Sequence, residues 1–144
     1  MNYLAHIYLS NEIDEIKLGN FFSDFIKGNN YKHYSQGIQS GIYLHRQIDS
    51  FTDANEFVRI SKRRLHERYG HYDGIIIDIL YDYFLAKNWC DYSKIPLKEY
   101  EENFLNLLQD NFEILPEKVQ HVLPYMKNNV GYLLMPAKKA LKKH

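Results

Sequence analysis

In the stretch from Gly37 to Asp53, GIQSGIYLHRQIDSFTD, an imidazole and a carboxylate occupy positions where a helix would put apolar side chains. At about 100° per residue, Ile38, Ile42, His45 and Asp49 share one stripe roughly 60° wide. An ionised carboxylate drawn toward a core needs a partner. Two partners fit: a plain His45–Asp49 hydrogen bond, or a metal ion that takes both side chains. A second pair adds weight to the metal. Asp78 and Asp82 are the only charges between Gly74 and Ala86, and they project within about 40° of each other. Either they mark the solvated edge of a mostly buried helix, or a cation or an arginine holds them inside. A divalent ion would also relieve their mutual repulsion. Histidine and carboxylates together favour Mn²⁺, Mg²⁺ or Fe²⁺ over a metal that seeks thiolate. With open coordination positions, such an ion makes hydroxide from water and polarises a phosphoryl oxygen.

Other candidate groups give weaker signals. Asp24 projects onto the polar side of its helix, so periodicity alone gives no reason to choose it. His6 shares a turn with Asn2 and suits core, surface or ligand equally. Asp53 has the position of a helix cap, while His33, His66, His71, His121 and His144 have loop or exposed settings. Cys90, beside Trp89 at a helix end, is a weak nucleophile candidate. The sequence has no glycine-rich phosphate loop and no GxSxG elbow.

The elements that must position these groups are helices. Asn2 can cap a first helix to Leu9. Asn11 can cap a second, Glu12 to Lys27, whose acidic start suits the helix dipole. Gly28-Asn29-Asn30 closes it. The third runs from Tyr34 to Thr52, with Gly37 and Gly41 permitting close approach by a neighbour. The fourth, Asn55 to Tyr69, carries Arg59, Lys62, Arg63, Arg64 and Arg68 and ends at Gly70. Those cations form either a solvated face or a dock for an acidic partner. The fifth, Tyr72 to Trp89, is apolar all round and belongs at the centre of the fold. Pro96 opens a sixth, to about Phe112. Pro116 opens a seventh that should end before Pro124. No strand alternation, internal repeat or linker interrupts the pattern, so the expectation is an all-α, single-domain bundle of about seven helices over residues 1–144.

Composition narrows the function. Hydrophobic residues make up 45% of the chain and aromatics 15%, ample for one core. Eighteen Lys+Arg balance eighteen Asp+Glu, which argues against a nucleic-acid or anionic-membrane binder. One cysteine rules out an intrachain disulfide and a cysteine-based zinc site. The opening MNYLAHIYLS has no basic leader and runs into NEIDE, a poor signal peptide. No apolar run approaches a membrane span. A cytoplasmic protein is expected.

MNYLAHIYLS, LGNFFSDFIKG (Leu18–Gly28), GIYLHRQIDSFTD (Gly41–Asp53) and DILYDYFLAKNW (Asp78–Trp89), in that order, resemble the acyl carrier protein phosphodiesterase family. That family is regarded as a divergent branch of the all-helical HD-type metal-dependent phosphohydrolases. The resemblance implies hydrolytic removal of 4′-phosphopantetheine from holo-acyl carrier protein, with a divalent ion, typically Mn²⁺. It places Asp24, His45, Asp49 and Asp82 at the metal, with His6 and Asp78 as near neighbours, and sets Arg46 to steady a phosphoryl oxygen. His6 or a free carboxylate would manage protons. Acyl carrier proteins are acidic, so the cations of the fourth helix would steer the substrate in. Family members continue beyond the region around Gly131, whereas here PAKKALKKH closes the chain. A shortened C-terminus would expose apolar surface and invite self-association. Two other functions share these features: an HD-type hydrolase of a small nucleotide or phosphate ester, and an inactive helical domain that only binds partners.

Overall fold

Two glycines let the second and third helices come together backbone to backbone. In a computed structural model that describes residues 3–128, α2 (Asp14–Phe22) lies against α3 (Gln36–Ala54). A Cβ on Gly41 would run into the Ile16 carbonyl oxygen, and one on Gly19 into the Ile38 carbonyl oxygen. The expected close approach at Gly41 is therefore present, and Gly19 is its counterpart on the facing helix. Gly37 is crowded by the Glu15 side chain.

Around this pair the described chain is all-α. It runs through α1 (Tyr3–Leu9), α2, a 3₁₀ turn (Ser23–Phe25), α3, α4 (Glu56–Tyr69), α5 (Asp73–Lys87), α6 (Leu97–Asp110) and α7 (Glu117–Asn128). The core joins Leu4 and Ile7 of α1, Leu18, Phe21 and Phe22 of α2 and Ile38 and Ile42 of α3. Phe104 and Leu108 of α6 and Val119, Leu123 and Met126 of α7 close it from the other side. None of the described helices is long and apolar enough to cross a membrane.

Several expectations need correction. Helix two does not run from Glu12 to Lys27. Its N-cap is Ile13, Asn11 takes a positive φ of 55°, and the chain tightens into the 3₁₀ turn after Phe22. Asn55, not Asp53, caps α4, accepting from the Phe57 and Val58 amides at 3.0 and 3.4 Å. Asp53 instead accepts from Lys62 Nζ at 3.0 Å. The seventh helix continues through Pro124; a proline removes only one amide donor, and the buried flanks Leu123 and Met126 hold the last turn in place.

The largest correction concerns the fifth helix. Only Ile77 and Asp82 of α5 are buried, while Ile75 and Phe84 stand about half exposed. Apolar residues on every side made it a central helix by pattern, but among the described residues the core assembles on α1, α2, α3, α6 and α7 instead. The capping role of Asn2 and the apolar C-terminal segment fall outside residues 3–128.

The glycine contact carries a direct test. Gly41→Ala should destabilise the protein by about 1–3 kcal/mol, because two backbones must part to admit one methyl group. Thermal or denaturant unfolding reads this out; unchanged stability would show that α2 and α3 separate freely.

Candidate metal centre

His45 is held by a contact that decides its chemistry. The ring is buried on α3, and its Nδ1 lies 2.7 Å from the Asn20 carbonyl oxygen. A carbonyl only accepts, so Nδ1 carries the proton. Nε2 then points at Asp24 Oδ1 and Asp49 Oδ2, each 3.1 Å away. Ionised carboxylates also only accept. A neutral His45 would aim a lone pair at two anions, so Nε2 must carry a second proton or face a cation.

His6 completes the cluster from α1. It is 1% exposed, and its Nε2 lies 3.1 Å from Asp49 Oδ1. Its ring stacks on that of His45 with centroids 4.0 Å apart and planes 12° from parallel. Its Nδ1 is buried and has no hydrogen-bond partner. Asp49 thus bridges the two imidazoles, one carboxylate oxygen to each.

The local fold explains this convergence. α3 has 19 residues and α2 only 9, so the C-terminal turns of α3 outrun the cover of α2. His45 is the last buried residue of α3, and Asp49, one turn on, emerges at the rim with its side chain 52% exposed. The expected burial of Asp49 is therefore corrected: its stripe is right, but its covering helix ends too soon. The 3₁₀ turn brings Asp24 to His45 as well, with its side chain 40% exposed. Two buried imidazoles below two open carboxylates form a rim site, not an enclosed one.

Charge settles accordingly. Burial lowers the affinity of His45 for a proton, but hydrogen bonds and charge from Asp24 and Asp49 outweigh it and raise its pKa to about 9. Burial acts to raise the Asp49 pKa, but hydrogen bonds from His45 and His6 hold it well below the usual carboxylate range. One ligand atom each from His6, His45 and Asp49 lies within 4.8 Å of the others. The donor set suits a divalent cation that takes nitrogen and oxygen. The Nδ1–H of His45 on a backbone carbonyl is the supporting bond a metal-binding histidine needs.

Not every candidate reaches the cluster. Asp82 does not join the His6–His45–Asp49 group. Its oxygens accept from the Leu4 and Ala5 amides at 2.9 and 3.0 Å, so this buried carboxylate caps α1 from α5. Burial pushes its pKa up to about 7, against the pull of those two amides. In this structure Asp82 anchors the helix that carries His6. Asp78 also lies outside the group and helps keep Lys62 charged. Arg46 follows His45 on α3 and is exposed, with its guanidinium 5.3 Å from the centroid of the Tyr31 ring. Arg59, Arg63, Arg64 and Arg68 are exposed on α4. Lys62 is engaged by Asp53 and stands apart from them.

Asn20 and Tyr31 escaped sequence reasoning. Asn20 carried one faint signal, a polar residue inside the apolar run LGNFF. Tyr31 carried none.

The chain has clear relatives among known proteins. A model of the family described as acyl carrier protein phosphodiesterase matches residues 1–132. The protein of that name from Pectobacterium atrosepticum is 32% identical over 127 residues, covering 88% of this chain and 66% of its own length. One from Yersinia enterocolitica is 38% identical over 89 residues, 62% of this chain and 46% of its own. One from Serratia proteamaculans is 28% identical over 127 residues, with 88% and 66% covered. The chain thus spans between about half and two thirds of the length of these curated relatives. No solved structure matches.

The charge balance predicts a pH dependence in metal-free protein. Folded His45 holds its proton to about pH 9, against an ordinary pKa of 6.5. The folded state therefore binds more protons between those values, and the stabilisation is complete below the lower pKa and lost as pH rises toward the upper one. Denaturant unfolding in chelator should show this decline, and His45→Gln should flatten it. An equal slope in the variant would refute the assignment.

Proposed function

The chain belongs to the acyl carrier protein phosphodiesterase family, and from that premise we propose that it hydrolyses the phosphodiester joining 4′-phosphopantetheine to the serine of holo-acyl carrier protein. Water adds to phosphorus, the bond from phosphorus to the serine oxygen breaks, and that oxygen takes up a proton. The products are apo-carrier protein and 4′-phosphopantetheine. The observation that carries this reading is the convergence of His6, His45, Asp24 and Asp49 at an open rim. A phosphodiester borne on a protein can approach such a rim without entering a deep pocket.

His45, Asp49 and His6, with Asp24 beside them, would hold a divalent ion, Mn²⁺ before Mg²⁺ or Fe²⁺. Such an ion supplies Lewis acidity and lowers the pKa of bound water. The protein's own groups do the rest. Asn20 holds His45 in one tautomer through its carbonyl. Tyr31 lies against the Arg46 guanidinium, which would bind a phosphoryl oxygen. His6, whose Nε2 is hydrogen-bonded to Asp49, would complete that ligand set, and the part-exposed carboxylate of Asp24 would move a proton to or from the reacting oxygens. The exposed arginines of α4 would attract an acidic carrier protein. This reading puts the chain in the cytoplasm with that substrate.

Conversion of holo- to apo-carrier protein, followed by mass, tests the reaction. With Mn²⁺ the wild type should turn over, and His45→Ala and Asp49→Ala should each lose about a hundred-fold or more of the rate. Turnover of nucleotides in place of holo-carrier protein would transfer the reading to a small-molecule hydrolase. Docking has its own test. Arg63→Glu with Arg64→Glu should raise KM most at low salt, with kcat little changed; unchanged KM would remove α4 from the docking face.

A further inference from the structure

Asn20 is wholly buried on α2, between the two histidines of the cluster. Its main chain serves one: the Asn20 carbonyl accepts from His45 Nδ1 at 2.7 Å. Its side chain serves the other: Nδ2 donates to the His6 carbonyl oxygen at 2.8 Å and to Ser10 Oγ at 2.8 Å. Ser10 Oγ in turn donates to the same His6 carbonyl at 2.8 Å. A side-chain amide has two donor hydrogens, and both are used here, on α1 and on Ser10 just after it.

We infer that Asn20 is the positioning residue of the site, fixing the His45 ring through its carbonyl and the His6 backbone through its amide. The inference rests on the proposed reading of the cluster as a metal centre. Its physical basis is economy of reference points. His45 and His6 come from α3 and α1, yet both are referred to a single residue of α2. The 4.0 Å spacing of the stacked rings is then set by the dimensions of one asparagine. A shorter side chain loses the reach, and aspartate has no donor. The two roles are also separable. Replacing the side chain leaves a main-chain carbonyl for His45 and removes only the bonds to the His6 carbonyl and Ser10 Oγ.

The experiment combines imidazole nitrogen NMR of the metal-free protein with Mn²⁺ titration followed by electron paramagnetic resonance. In wild type, His45 should be protonated at Nδ1 and show a hydrogen bond to the Asn20 carbonyl. Asn20→Ala should keep that His45 signature, shift the His6 resonances and weaken Mn²⁺ binding about ten- to a hundred-fold. Ser10→Ala, which removes the neighbouring hydroxyl but leaves the Asn20–His6 bond, should weaken binding by no more than about three-fold. Asn20→Ala with unmoved His6 resonances and wild-type Mn²⁺ affinity would overturn the inference. Equal losses in both variants would also overturn it, by showing that general polarity and not the amide is responsible. Should Asn20→Ala fail to fold, Asn20→Leu, which keeps the bulk and removes the donors, takes its place: shifted His6 resonances with weakened Mn²⁺ binding support the inference, and unmoved His6 resonances with wild-type affinity overturn it. A wild type that folds with these ring signatures but takes up no Mn²⁺ would reject the metal reading alone.

Discussion

One hydrogen bond, from His45 Nδ1 to the carbonyl of Asn20, constrains everything else at the rim. It fixes the tautomer, and the tautomer turns Nε2 toward Asp24 and Asp49. Two carboxylate oxygens about an imidazole nitrogen without a positive charge would be repulsive. Folding must therefore supply a proton there, or a cation must take its place. The elevated pKa of His45 and the depressed pKa of Asp49 are two expressions of that requirement. A site that costs folding energy when empty of positive charge is well prepared to receive a metal ion.

The scaffold maintains this arrangement with few parts. Gly19 and Gly41 bring α2 against α3, which sets the Asn20 carbonyl under His45. Asp82 reaches from α5 to cap α1, and α1 delivers His6. The 3₁₀ turn after α2 presents Asp24, and the loop that follows carries Tyr31 to Arg46. α3 itself contributes two groups, His45 and Asp49, and the difference in length between α2 and α3 leaves the carboxylates facing solvent. The proposed reaction on a protein-borne phosphodiester rests on that openness.

Much of this was legible in the sequence, and the parts that were not share a physical cause. Helices and their approximate order follow from apolar periodicity and from Gly and Pro, and the stripe joining His45 to Asp49 is real. Periodicity treats each helix as infinitely covered, however, so it buried Asp49 and centred α5. Cover depends on where neighbouring helices stop, which no single segment encodes. Asp24 was invisible to helical projection because the helix gives way to a 3₁₀ turn just before it; only its resemblance to a family block drew attention to it. Asp82 was recognised as a carboxylate requiring a partner, but its partners are backbone amides far away in sequence. Asn20 acts through a carbonyl, a group every residue possesses, and so left almost no trace.

The central claim is that a cation and a proton compete for the same position on His45 Nε2. Calorimetric titration of Mn²⁺ into metal-free protein at pH 8, in buffers of different ionisation enthalpy, measures the protons released on binding. Because His45 keeps its proton up to about pH 9, close to one proton per ion should be released. Mn²⁺ binding without proton release, or no binding at all, would contradict the account.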